Sequence, residues 1–302
     1  MKHTTHISVL RDEAIALLNP QSNQNFIDAT IGGGGHTEKI LEATKPHGKV
    51  LGIDWNMAAI RGLRSEYGAE ITRGNLELVC DNFSNIAEIT GRTKFERASG
   101  IIFDLGISSD ELAQSGRGFS FLKDEPLVMT FAEAPEPGQM TAQDVVNSFD
   151  AEKLAEIFKT YGEERLAARA AQAIVSRRSR GEIKTSKELA ELISRAFPVS
   201  YEHGRIHPAT RVFQALRIYV NDELGNLERA LVDALEVVDH KGRIVVITFH
   251  SLEDRIVKRR FIEFTRSGKA LLLTKKPIVP SEEEVKANPR SRSAKLRAIE
   301  KV

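Results

Sequence analysis

The chain has 302 residues, 41% hydrophobic and 28% charged, with a formal net charge of +1. This length can bury a large core and suits more than one domain, while the near-neutral charge leaves any polyanion site to local clusters among the 43 Lys and Arg. The single cysteine, Cys80, excludes an internal disulfide framework, and Met1–Ile7 lacks an apolar signal region. With no apolar run of membrane-spanning length, a soluble cytoplasmic protein with no membrane partner is expected.

The first third of the chain alternates: strand 25–31, helix 36–44, strand 49–54, helix 56–67, strand 76–81, helix 84–90, strand 98–105. Such alternation predicts a parallel sheet with helices on both faces. The run Ser99-Gly-Ile-Ile-Phe-Asp104 has the continuous apolar character of a central strand. Residues 107–140 read as loop, and Thr141 to Phe197 as helices, with Thr141 and Asp150 as N-caps and Thr185 with Glu188 as a capping box. One long helix is expected after Pro208, because Phe213, Leu216, Val220, Leu224, Leu227, Leu231 and Leu235 keep helical spacing. Gly242–Phe249 then reads as a buried strand and Ser251 as the cap of a helix through Phe264. Short strands follow at 270–274 and 294–301, around an acidic-then-basic loop. The expectation is an α/β protein in which 1–110 and 209–302 form a discontinuous sheet domain, and 111–208 an inserted all-helical domain.

Chemistry concentrates where strands end. Asp28-Ala-Thr-Ile-Gly-Gly-Gly-Gly-His36 joins a strand to a helix through four glycines, which permit a tight turn and close approach of a ligand to free helix N–H groups. Asp54 closes the next strand about 20 residues on, where a Rossmann-type site puts a carboxylate on ribose hydroxyls. Thr37 replaces the third glycine of the dinucleotide fingerprint, which disfavours a nicotinamide oxidoreductase. Asp81 and Asn82 suit an adenine edge, Phe83 suits either stacking on adenine or a core position, and His36 either a carboxylate contact or a cap. Asp104 stands where a transferring group would lie, and His250 starts a Ser251-x-x-Asp254 capping pattern. Three basic stripes favour RNA: Arg165 to Lys184 on the insertion, Arg255 to Arg260, and Arg290 to Arg297.

Eight blocks carry a resemblance: His6-Ile-Ser-Val-Leu-Arg-Asp-Glu13, Asp28–His36, Asp104-Leu-Gly-Ile-Ser-Ser109, Gly116-Arg-Gly-Phe-Ser-Phe121, Lys159-Thr-Tyr-Gly-Glu-Glu-Arg165, His207-Pro-Ala-Thr-Arg-Val-Phe-Gln-Ala-Leu-Arg217, Thr248-Phe-His-Ser-Leu-Glu-Asp-Arg255 and Asn288-Pro-Arg-Ser-Arg-Ser293. In this collinear order the chain resembles the RsmH/MraW family of bacterial ribosomal RNA cytosine-N4 methyltransferases. The resemblance implies a Rossmann-like methyltransferase sheet and S-adenosylmethionine (SAM) as methyl donor. It implies a cytosine in the decoding region of 16S ribosomal RNA as acceptor, within the small ribosomal subunit, and leaves a homodimer open. By motif match, Gly34, Gly35 and His36 hold the methionine end of SAM, Asp54 the ribose and Phe83 the adenine, with Asp104 as the catalytic residue at the methyl transfer and also a cofactor contact.

Two positions depart from the family pattern. Glu111 replaces a glutamine that contacts the cofactor, and Pro126-Leu-Val-Met-Thr-Phe131 lacks the acid and arginine of Pro-Leu-Asp-Met-Arg-Met. The second departure keeps another reading in play, a non-enzymatic RNA-binding ribosome-assembly factor that retains SAM as a structural ligand.

Overall fold

Seven apolar runs become one sheet: β1 (Phe26–Asp28), β2 (Val50–Asp54), β3 (Leu76–Cys80), β4 (Ala98–Asp104), β5 (Val238–Thr248), β6 (Ala270–Leu272) and β7 (Lys295–Lys301). The computed structural model describes residues 8–93, 95, 97–106, 115–133, 135, 138–201 and 206–302. The order across the sheet is β3-β2-β1-β4-β5-β7-β6. The five strands from β3 to β5 run parallel, and β7 is antiparallel to both of its neighbours.

Both faces of the sheet are covered, which explains why its strands lack polar alternation. Ile27, Leu51, Ile101, Phe103 and Val246 point to one side, against Leu227, Leu231, Val257 and Phe261. Their neighbours Phe26, Val50, Ile102 and Val245 point to the other, against Leu18, Ile40, Ile60 and Leu63. This is the two-residue period of a pleated strand. Successive strands lead away from β1 in one direction and from β4 in the other. That reversal places a ligand site beyond the carboxyl ends of β1 and β4.

The chain divides into two compact units, Met1–Gly106 with Leu224–Val302, and Ile107–Glu223. The second is helical: Ala142–Ser148, Ala151–Gly162, Ala167–Arg178, Ser186–Ala196 and Thr210–Val220 enclose Leu154, Phe158, Ile174, Leu189, Ile193, Val212 and Leu216. Thr141 forms a capping box with Asp144, and Asp150 accepts from Lys153 N–H at 2.8 Å. At Thr185 only half of the expected box forms. Its side chain accepts from Glu188 N–H, while the Glu188 carboxylate turns to Lys184 N–H and Arg177.

Two of the sequence blocks exist to hold this unit together. Gly162 lies so close to Thr210–Val220 that a Cβ there would stand 2.4 Å from the Arg211 carbonyl oxygen. The Arg211 guanidinium in turn donates to Glu163 O at 2.8 Å, and buried Glu164 accepts from Leu166 N–H and the Tyr201 hydroxyl. The segment after Gly116 is equally structural. Arg117 donates to the carbonyls of Phe131 and Ala132, both at 2.8 Å. Thr130 is fully buried with its hydroxyl on Ala132 O. The departure at Thr130 is therefore absorbed by packing within the helical unit.

Four differences from the sequence reading follow from local chemistry. The long helix after Pro208 is two, Thr210–Val220 and Glu223–Val237, separated by Asp222 at φ 45. Thr210–Val220 consequently packs in the helical unit, and the return to the sheet unit comes at Leu224 instead of residue 209. Helix Arg11–Leu18 was not anticipated, and Leu10 before it offers no side-chain cap. Glu282–Ala287, read as loop, is a short helix capped by Ser281. Among the described residues, no helix is long and apolar enough to cross a membrane.

Candidate active site

The turn after β1 is tied down by the strand's own last residue. Asp28 is buried, its Oδ2 accepts from the Thr37 hydroxyl at 2.7 Å and its Oδ1 from Thr30 N–H at 3.3 Å. Burial outweighs these hydrogen bonds and pushes its carboxyl up to about 6. Gly34 has φ 78, and a Cβ there would lie 3.1 Å from the Tyr67 hydroxyl; at Gly35 a Cβ would lie 2.1 Å from Ser8 Oγ. The backbone itself therefore favours glycine at Gly34, independently of any ligand, while a Cβ at Gly35 would require the Ser8 side chain to move. Gly34 is the N-cap of helix Gly35–Ala43 and supplies no side chain, so the first-turn N–H groups are not capped by it.

Asp54 clasps the turn from the end of β2. Its two oxygens accept from Gly32 N–H at 2.9 Å and Asn56 N–H at 2.8 Å. The expected ribose carboxylate is thus also the fastener of the glycine turn. Asp81 accepts from Asn85 at 2.9 Å and pairs with Arg92, and Asn82 accepts from Ser84 N–H, so both serve the local turn. Phe83 is half-buried and meets Phe103 of β4 edge to face at 5.9 Å.

At the end of β4, Asp104 N–H donates to the Thr30 hydroxyl at 2.6 Å, fastening this strand end to the same turn. Asp104 Oδ2 lies 3.7 Å from His36 Nδ1, with the two side chains 16% and 4% exposed. Asp104 Oδ1 is buried and has no hydrogen-bond partner among the described residues. Burial first, then the nearby charges of Asp28 and Glu253, push the Asp104 carboxyl well above the usual carboxylate range. Glu253 is itself buried, accepting from Phe249 N–H at 2.8 Å and His250 N–H at 3.2 Å.

An acid-rich strand edge with one buried oxygen still lacking a donor suits a ligand that brings positive charge or N–H groups. A sulfonium cofactor with an ammonium group fits that demand.

The structure brings Gly34, Gly35, His36, Asp54, Phe83 and Asp104 to the carboxyl ends of neighbouring strands and their following turns. Glu111 lies outside the described residues. The helix after β5 is capped by His250 with Glu253, not by Ser251. Asp28, Thr30 and Glu253 were not singled out. Asp28 was visible as the acid closing the first strand, and Glu253 as the third residue after a cap.

The basic stripes are partly spent on the fold. Arg177 pairs with Glu188, and Arg178 donates to Val146 O at 2.8 Å. Arg259 and Arg260 pair with Glu228, while Lys295 and Arg297 converge on Asp254.

Strand order and the antiparallel β7 define the class: an open, mostly parallel Rossmann-like α/β sheet. The helical unit interrupts this sheet between β4 and β5. The chain belongs to the MraW methylase family, whose model matches residues 3–302. It is 46% identical to ribosomal RNA small subunit methyltransferase H of Thermomicrobium roseum, over 99% of this chain and 94% of that protein. Proteins of the same name from Syntrophus aciditrophicus (40% identity, 100% and 99% coverage) and Clostridium botulinum (41%, 98% and 99%) are similarly close.

Proposed function

We propose that the protein methylates the exocyclic N4 of a cytosine in the decoding region of 16S ribosomal RNA, within the small ribosomal subunit. The names of its relatives and the collinear sequence blocks support ribosomal RNA as the substrate. The observation that carries the chemistry is the Asp104 carboxyl at the end of β4, whose buried Oδ1 still lacks a donor among the described residues.

Gly34, Gly35 and His36 at the helix N-terminus would hold the methionine end of SAM, Asp54 its ribose and Phe83 its adenine. Glu111 is assigned a cofactor contact by motif match alone. SAM supplies an electrophilic methyl group on a sulfonium. The cytosine amine is a weak nucleophile because its lone pair is delocalised into the ring. Ionised Asp104 would accept a hydrogen bond from that amine, orient it, and take its proton as the N–C bond forms and the sulfonium S–C bond breaks, its electron pair staying on sulfur in the departing thioether. The carboxyl's raised affinity for protons suits this role, provided the pH keeps it ionised. His36, 3.7 Å away, borders the same carboxyl. A base inside a helix cannot reach the end of β4, so the acceptor is single-stranded or flipped out.

The buried Thr130 serves the helical unit, so its departure from the family pattern does not favour a non-catalytic assembly role. The test is methyl transfer from labelled SAM to small ribosomal subunits lacking the modification, followed by nucleoside analysis. Label in N4-methylcytidine is expected; label in another nucleoside, or none, contradicts the proposal.

A further inference from the structure

Three rings run from the core of the helical unit to its surface. Phe213, 5% exposed, meets Phe121 edge to face at 5.3 Å, and Phe121 stacks on His207 at 4.3 Å with 19° between planes. Phe121 is half-buried and His207 exposed. His207 is fixed by its own turn. Nδ1 accepts from Ala209 N–H at 3.2 Å, which leaves the other ring nitrogen as the donor, 3.5 Å from Ser194 Oγ. Partial burial lowers its proton affinity further, so the ring is neutral at physiological pH. The chain neighbours of Phe121 and His207, Leu122 (87%) and Ile206 (36%), are exposed, as is Lys123 two residues along from Phe121. A stack that only buried Phe121 would need no exposed apolar neighbours and no fixed imidazole at its outer end.

We infer that His207 is the outer face of a stacking platform for one unpaired nucleobase of the RNA substrate, with Phe121 and Phe213 as its footing. The inference rests on the proposed RNA substrate and adds a contact on the helical unit to it. A flat neutral ring on a rigid aromatic column accepts any base face, Leu122 and Ile206 cover the sugar, and Lys123 supplies charge for the backbone. The site reads single strands, because a base inside a duplex has both faces covered by its stacked neighbours.

The test uses the full-length protein and a single-stranded 12-nucleotide RNA carrying 2-aminopurine, with its duplex as control. Binding to the wild type should quench the 2-aminopurine. His207→Ala should raise the dissociation constant for the single strand about tenfold, the scale of one lost base stack, and restore the fluorescence. His207→Phe should stay within about twofold of wild type. SAM affinity and duplex binding should be unchanged in both variants. Equal single-strand affinity and equal quenching in His207→Ala would overturn the inference, as would a His207→Phe variant that binds as poorly as His207→Ala. Wild-type methyl transfer to small subunits, measured alongside, separates the two ideas: transfer that persists while the stacking test fails removes only the platform.

Discussion

Asp104 Oδ2 and His36 Nδ1 lie 3.7 Å apart, linking the end of β4 to the first turn of helix Gly35–Ala43. The pair brings the end of β4 beside the glycine turn, and Asp28 and Glu253 both oppose ionisation of Asp104. The carboxyl is therefore poised by its surroundings to hold a proton more readily than a solvated one would.

Replacement of Asp104 by Ala or Asn should cut methyl transfer by at least ~100-fold, the scale of a lost general acid–base group. SAM affinity should fall less, because the proposed task is on the acceptor. Since Asp104 must be ionised, the wild-type rate should drop as pH falls through a value above the usual carboxylate range. The residual rate of Asp104→Asn should lack that limb. A pH–rate profile of both proteins checks this, and a variant that turns over normally removes Asp104 from the chemistry.

Asp54→Ala should weaken SAM binding by about 1.5–3 kcal/mol, as expected for lost charge-assisted hydrogen bonds. Because Asp54 also holds Gly32 N–H and Asn56 N–H, the variant should lose thermal stability as well. Calorimetric titration with SAM, run beside thermal unfolding, separates the two effects. Unchanged affinity would leave Asp54 as a fastener of the turn only.

Asp28 sets a pH dependence of stability whose sign can be worked out. Its carboxyl sits at about 6 in the folded chain against an ordinary 3.8, so between those values the folded state binds more protons than the unfolded state. Stability from this group therefore falls as pH rises through the window, by on the order of 3 kcal/mol in total. Asp28→Asn, which never ionises, should gain on the wild type by that order between about pH 4 and about pH 7. Denaturant titrations across this range check it; parallel curves would show that Asp28 ionises without cost.

Much of this site was legible because parallel strands advertise themselves. A covered strand such as Ser99–Phe103 needs apolar side chains on both faces, and an acid at its end, as at Asp54 and Asp104, stands out against that background. The break at Asn221–Asp222 was not legible. The apolar spacing runs through it from Val220 to Leu224, and what stops the helix is a set of distant hydrogen bonds. Asn221 donates to Met129 O at 2.8 Å and accepts from Phe131 N–H at 2.8 Å. The pairing within the basic stripes was hidden for a related reason: sequence shows cations but not the carboxylates that the fold places on them, such as Asp254 beside Arg297. Asp28 and Thr30 escaped notice because their roles depend on Thr37 and Asp104, which only the turn brings near.

Gly162→Ala should destabilise the helical unit by about 1–3 kcal/mol, the usual cost of overpacking. The new Cβ would stand 2.4 Å from a backbone oxygen of Arg211 and 3.2 Å from Ala215 Cβ, neither of which can swing away. Chemical denaturation checks the loss, and SAM affinity should change little because the proposed cofactor residues other than Glu111 lie in the other unit. A fully stable variant would mean that the two helices separate without penalty.

The central claim is the acceptor, and mapping of ribosomal RNA tests it most directly. Mass spectrometry of 16S ribosomal RNA from cells with and without this gene should show one decoding-region cytosine that carries a methyl group on N4 only when the gene is present. Reintroducing the Asp104→Asn protein should leave that cytosine unmodified. The same methylation pattern in both strains, or a change on a different nucleoside, would contradict the account.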